Sequence, residues 1–494
     1  MNYRGMLLSL ALVALLSHPL LAADWPQWRG PNQDGIVAKS PALVDSLTPQ
    51  TMKKVWESEP LPGGNIGGYA QPAVVGDRVY VVESLRYLSL GTLVAELTEA
   101  KTVPPEELAK LGPIPEKNFA CLADFEDWLQ LRGVTPEAIE AILQPVGMVK
   151  RDKRSREDRG YLWGYVGTKR VAAVDVLWAL DRRMGKTIYK VEFPGQWLSY
   201  AASSAPTVVN GRLYFLSSDA VAYCVDAKTG KTIWECPLVK KPRFNHCRAA
   251  SPILLEGKII VACDGEICGI DDATGKKIWG RKDLVGEEAT AVPYKFGNKT
   301  IVIFAGAPHW SRPPFTKMEA LDPATGQALW TTQIGRTASM PVIVDGICVL
   351  SCSPESPGPV AYKISETEAK EIWNVPFKED KFAPAEHNYP SPIILNGHVY
   401  IAGKSKAFCL ELTTGAVKWV ETIQGAVLSS GILADGKIIL PAGPDLVMFR
   451  PTPEKLELLG RVKKVTVAYA TPALADGFLF IRSPNNVVCY DLRK

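Results

Sequence analysis

Ala222-Tyr-Cys-Val-Asp-Ala-Lys-Thr-Gly-Lys-Thr-Ile-Trp234 reads as an apolar strand, a tight turn and a returning strand. Its spacing, Asp, then Gly four residues on, then Trp four further, recurs at Asp226/Gly230/Trp234, Asp271/Gly275/Trp279 and Asp322/Gly326/Trp330. Variants stand at Asp181/Gly185/Tyr189, Glu411/Gly415/Trp419 and Ser365/Ala369/Trp373. Asp accepts hydrogen bonds from turn N–H groups, and Gly takes the positive φ that closes such hairpins. The Trp falls at a fixed place in the returning strand, where a flat ring wedges between neighbouring units and buries much of its area. A period of about 40 to 50 residues with several short strands per unit points to propeller blades.

A second repeated element precedes each turn: small polar residues, usually Pro, an apolar pair, a Gly turn and another apolar strand. It runs from Gln71 to Val82, Ala205 to Leu216, Ser251 to Ala262, Ala291 to Phe304, Met340 to Leu350, Ser391 to Ala402, Ser430 to Leu440 and Thr471 to Ile481, which makes eight inner hairpins. The outer turns follow at Asp181, Asp226, Asp271, Asp322, Ser365, Glu411, a degenerate Arg450, and Asp491. After Asp491 the chain stops at Lys494 before a Gly and Trp appear, while an orphan strand ending in Val55-Trp56 lies near the N-terminus. The predicted fold is therefore all-β, an eight-bladed propeller of four-stranded antiparallel blades, with the N-terminal strand closing the last blade and removing its open edges.

This repeat resembles the pyrroloquinoline-quinone-type propeller repeat of quinoprotein alcohol dehydrogenases and of BamB, the outer-membrane assembly lipoprotein. Asp24-Trp-Pro-Gln-Trp-Arg-Gly-Pro-Asn-Gln-Asp-Gly35 resembles the opening of secreted PQQ-binding-like β-propeller repeat proteins. The resemblance covers roughly residues 24 to 84 and 171 to 494; it speaks to fold, and function is left to the loops. For a quinoprotein dehydrogenase it implies PQQ with Ca²⁺, an adjacent-Cys disulfide against the quinone, a carboxylate and Asn on the ion and an Asp base. This chain has no adjacent Cys pair.

Residues 1–23 carry one basic residue, Arg4, an apolar run from Met6 to Leu16 and small residues Ala22-Ala23, the pattern of a cleavable secretory signal peptide. No Cys stands near the cleavage site, so no lipid anchor is expected, and the apolar run is short for a membrane span. The expected compartment is the periplasm or the exterior. A formal charge of +4, or +3 without Arg4, argues against a nucleic-acid partner. The ten Cys invite a disulfide reading there. Cys224, Cys409 and Cys489, however, stand at one repeat position in different blades, which predicts separate buried strand residues. Local pairs Cys263/Cys268, Cys348/Cys352 and Cys236/Cys247 stay open.

The expected division is a signal peptide at 1–23, an N-terminal segment, closing strand and start of the first blade at 24–84, a mainly helical insertion at 85–170, and the rest of the propeller at 171–494. Within the insertion, apolar positions predict a helix over 120–132, with Gly133 as its stop and Thr135-Pro136 opening a second. The charged run Lys150–Arg159 reads as a solvated loop or a docking segment.

Chemistry, if any, is expected where the connections entering the inner strands gather around the channel mouth. The candidate ligand-binding residues there are His246, Arg248, Glu288, His309, Trp310, Arg336, Glu386, His387, Asn388 and Lys404. His246, His309 and His387, with Glu288 and Glu386, have the donor types for a transition metal, and loop-bracing histidines are the alternative. No H-E-x-x-H, G-x-S-x-G or phosphate-cradling loop offers another enzyme class. The preferred expectation is a monomeric binding or scaffold ring with a protein partner or a small ligand. A PQQ-dependent or metal-assisted oxidoreductase is the alternative, and a polysaccharide-binding or polysaccharide-active propeller the third reading.

Overall fold

The computed structural model describes residues 24–61, 70–88, 90–113, 122–144, 171–196, 198, 204–240, 250–282, 289–306, 315–335, 337, 339–351, 358–375, 390–403, 405–425, 427, 429–465, 470–483 and 486–494. Eight four-stranded antiparallel sheets form a ring, and seven of them use four strands consecutive in the chain. The eighth is assembled from both ends: Lys53–Glu57 pairs with Val487–Asp491, placing Trp56 opposite Cys489. The expected closure of the ring is thus realised.

Local sequence makes the hairpins. Inner turns such as Asn210-Gly211 and Asp345-Gly346 hold both residues at positive φ (52° and 76°, 50° and 73°), the signature of two-residue hairpins whose twist matches their strands. In the outer turns Asp226 Oδ1 accepts from the Thr229 N–H and hydroxyl at 2.8 and 2.7 Å, and the Gly230 N–H donates to the Asp226 carbonyl. Asp271 with Thr274 repeats this arrangement. Hydroxyl and N–H donation to these carboxylates, led by the Thr side chain, holds both below the usual carboxylate range.

The repeated Trp joins blade to blade. Its ring lies under the turn Gly of the next blade: a Cβ on Gly275 would stand 2.7 Å from Trp234, on Gly326 2.4 Å from Trp279, on Gly415 2.8 Å from Trp373, and on Gly185 2.3 Å from Trp56. Its Nε1–H donates to a carbonyl of that same turn, from Trp56 to Arg182, Trp234 to Asp272, Trp279 to Pro323, Trp330 to Ser365, Trp373 to Leu412 and Trp419 to Thr452. In the first blade the Tyr189 hydroxyl does the same to Ala227. Glycine at that turn position is therefore fixed twice, by its φ and by the ring above it.

Blade 7 departs from the pattern. Pairing register puts Gly460 opposite Met448, where its counterpart Trp234 faces Cys224. The vacated wedge position is occupied by the N-terminal segment: Leu47 bridges Gly460 in parallel, and its N–H donates to Leu459. Leu43, Leu47 and Met52 are buried in one core with Ile432, Val462, Leu474 and Leu492, across the junction of blades 7 and 8.

Among its described residues, the stretch between blade 1's second and third strands carries four helices, α1 (Leu90–Ala100), α2 (Pro105–Ala109), α3 (Leu122–Leu131) and α4 (Pro136–Leu143). The last two match the expected pair, with Thr135 capping α4 by accepting from the Ala138 N–H. The first two are not evident from sequence, and strand pairing runs on to Leu88 opposite Val171, past the boundary expected at 84. The helices pack on one another around Leu93, Phe125, Leu129 and Ile142, and among the described residues this core is made of insertion residues alone. Cys224, Cys409 and Cys489 are buried at equivalent positions without a disulfide; Cys236, Cys268 and Cys348 are also free thiols, Cys263 is buried, and Cys247 and Cys352 lie outside the described residues.

Candidate functional site

All ten candidate mouth residues, His246, Arg248, Glu288, His309, Trp310, Arg336, Glu386, His387, Asn388 and Lys404, lie outside the described residues. Among the described residues no three His, Cys, Asp or Glu side chains gather into a metal-binding group. The small polar residues that lead into the inner strands are described, and they tie the blades together. The Ala205 N–H donates to Ser251 Oγ, the Ser251 N–H to Thr290 Oγ1, the Met340 N–H to Ser391 Oγ, the Ser391 N–H to Ser430 Oγ and the Ser430 N–H to Thr471 Oγ1, each at 2.9 to 3.1 Å. These hydroxyls are buried latches satisfying backbone donors where no strand partner is available.

Inside that belt the ring axis holds the chain's own N-terminal segment. Trp25 forms an antiparallel bridge with Val74 of blade 1, and the Val208 N–H of blade 2 donates to Pro26. The segment climbs to Arg29, whose N–H donates to Gln71 Oε1 at 2.8 Å, where the chain enters blade 1. Positive φ at Arg29 (60°), Gly30 (82°), Gln33 (59°) and Gly35 (78°) turns it back, and the Gly35 N–H donates to the Arg29 carbonyl at 3.0 Å. It descends along blade 7, with Ile36 bridging Leu433 in parallel. Residues 25–36 thus form a plug that touches blades 1, 2, 4, 6 and 7, through Val74, Val208, Ala291, Pro392 and Leu433.

Arg29 is the chemical centre of the plug. Its side chain is fully buried, and Nη2 donates to the Asp34 and Pro392 carbonyls at 2.7 and 2.8 Å. Among the described residues Nε and Nη1 have no hydrogen-bond partner. Burial lowers its pKa to about 10, against the pull of Asp34. The Asp34 carboxylate is turned to its own backbone, accepting from the Ile36 N–H, and burial raises its pKa. From sequence this stretch reads only as a family resemblance, with no role for Arg29; an Arg set between Trp28 and Gly30 is the signal it offers.

A second polar cluster sits where the insertion leaves the ring. Arg482 and Glu83 form an ion pair at 3.0 Å with both side chains fully buried. Beside it Asp175 accepts from the Ser84 hydroxyl and, at 2.5 and 2.9 Å, from the Ser218 N–H and hydroxyl. Burial pushes the Asp175 carboxyl up to about 7 against these bonds, and Glu83 adds to the rise. Every oxygen of Asp175 is engaged, so the cluster joins blades 1, 2 and 8.

The family described as outer membrane protein assembly factor BamB matches at residues 155–292 and 316–494, more than half of the chain, and the chain belongs to that family. The quinohemoprotein alcohol dehydrogenase of Comamonas testosteroni is 31% identical over 137 residues, 26% of this chain and 19% of that protein. The tetrathionate hydrolase of Acidithiobacillus ferrooxidans is 25% identical over 260 residues, 49% of this chain and 42% of that one. The chain therefore matches less than half the length of either relative. The crystal structure of the Comamonas dehydrogenase superposes with a TM-score of 0.56 at 12% identity, covering 96% of this chain and 81% of that one, a likeness of fold.

Proposed function

We propose that this chain is a secreted propeller that binds a protein partner, with the ring as a rigid platform and the helical insertion as its recognition arm. The observation that carries this reading is the filled axis: residues 25–36 occupy the space between the inner strands. The fit to PQQ and Ca²⁺ is poor on the residues described. The wall of adjacent cysteines is missing from the sequence, Asp34 faces its own backbone, Glu83 is paired with Arg482, and Asp175 is held by Ser84 and Ser218.

The arm has the geometry of a display element. Blade 1's middle strands, Arg78–Leu88 and Val171–Asp181, have eleven residues each, against five and six for Arg212–Leu216 and Val221–Asp226 in blade 2. Five extra residues extend a strand by roughly 17 Å. The extension leaves from the end of the ring where the inner strands begin, and at its tip the helices enclose their own core.

The test replaces residues 89–170 by a short Gly/Ser turn and crosslinks wild-type and armless protein in the native envelope. Expected are a folded ring with a melting temperature within a few degrees of wild type, and loss of the partner crosslinked to wild type. An armless ring that crosslinks the same partner equally well would refute the arm as recognition element. Mature protein that binds PQQ with Ca²⁺ and reduces a dye with an alcohol would favour the oxidoreductase instead.

A further inference from the structure

The Arg29 guanidinium is fully enclosed on the ring axis, yet the groups that hold it are neutral carbonyls, those of Asp34 and Pro392, both on Nη2. No carboxylate lies within ion-pair distance of it among the described residues. Of its five N–H donors, the one on Nε and the two on Nη1 are unclaimed among the described residues. Two further buried hydroxyls that lack a partner among the described residues, those of Ser204 and Ser429, stand at the entries to blades 2 and 7, which bond to the plug through Val208 and Leu433.

We propose that the Arg29 guanidinium is the receptor of a built anion site on the propeller axis, which takes a small anion, either a halide or one oxygen of a carboxylate. A buried guanidinium stays charged, and enclosing it with Asp34 beyond ion-pair distance as its counter-charge is costly, whereas an anion in contact supplies both a direct counter-charge and the missing acceptor. Water would supply an acceptor alone. The Nη2 edge is already taken by two carbonyls, so a single acceptor atom at Nη1 or Nε fits better than a two-point carboxylate fork. The site is also prearranged: the positive-φ turn at Arg29–Gly30 and Gly35 lets the backbone fold around the guanidinium, and a Cβ on Gly35 would come within 2.8 Å of Nη2. Gln33, nearly fully buried, points its amide nitrogen to the Ala291 carbonyl at 3.5 Å and braces the tip from the opposite side of the ring. An anion on the axis would be held by the plug alone, independently of the partner-binding arm.

The test uses mature protein dialysed into gluconate, an anion too large for the plug. Bromide and, separately, formate are titrated in at constant ionic strength while the melting temperature is followed. A saturable rise of several degrees is expected with at least one of them; bromide alone identifies a halide site, and formate alone or more strongly a carboxylate site. The rise should vanish in Arg29→Gln, and a rise that persists there overturns the proposal. Should that variant fail to fold, crystals of wild type grown in bromide decide. An anomalous peak within hydrogen-bond distance of Nε or Nη1 supports the site, and water alone at both nitrogens overturns it.

Discussion

Asp175 shows how a single side chain couples the ring to pH. It is fully buried and accepts from two serines, yet burial outweighs those bonds and lifts its pKa to about 7. Its folded value is thus above the roughly 3.9 of an unfolded Asp, so the folded state holds the proton more tightly. The associated stability is fully present below the unfolded value and is lost as pH rises through about 7. Each unit of such a shift is worth about 1.4 kcal/mol. Between pH 5 and pH 8 the wild-type melting temperature should therefore fall relative to that of Asp175→Asn, which cannot ionise. Parallel melting curves across that range would show that the carboxylate titrates as it does in the unfolded chain.

At the level of elements, what could be read from sequence was what each blade encodes within itself. The Asp–Thr–Gly turn binds its own donors, so Asp226 and Asp271 announce their hairpins to any reader of the chain. The Trp wedge was legible for a similar reason, since every turn Gly above a ring is forced by that ring. Blade 7 was not, because its wedge comes from more than four hundred residues away: Gly460 leaves the space and Leu47 enters it. The plug escaped notice on the same grounds, for Arg29 meets Pro392 and Gln33 meets Ala291 only once the ring has closed. The ten mouth residues expected from sequence lie outside the described residues, and Arg29 on the axis was not among them. The blade 7 substitution can be tested directly. Gly460 has φ of 147° and its added Cβ would stand 2.2 Å from the Leu47 carbonyl oxygen, so Gly460→Ala must push the N-terminal segment off the junction. A loss of roughly 1 to 3 kcal/mol in denaturant unfolding is expected, as for other overpacked sites, with faster proteolysis near Leu43–Met52. Unchanged stability and protection would show that the segment is only draped over blade 7.

For the whole molecule, the two ends of the chain carry more than their share of the structure. The strand Val487–Asp491 pairs on one side with Phe478–Arg482 and on the other with Lys53–Glu57, so it is the middle of the sheet that closes the ring. The same C-terminal segment anchors the N-terminal one beyond that strand: the Val44 N–H donates to Leu492, and Leu43 bridges Arg493. Trp56, tethered by this pairing, then reaches into blade 1 through its bond to Arg182 and its contact with Gly185. Closure, the blade 7 patch and the axial plug are therefore consecutive stretches of one N-terminal run held by one C-terminal strand. Removing residues 485–494 should expose two sheet edges, free the wedge at Trp56 and release the segment that patches blades 7 and 8. A loss comparable to the whole marginal stability of a domain, ~5 to 15 kcal/mol, is expected. The truncated protein should be insoluble or aggregate on purification, whereas Gly460→Ala, which disturbs the patch alone, should remain soluble. A soluble, monomeric truncation that melts at the wild-type temperature would mean that the ring holds without its closing strand, and that seven blades with their Trp junctions suffice.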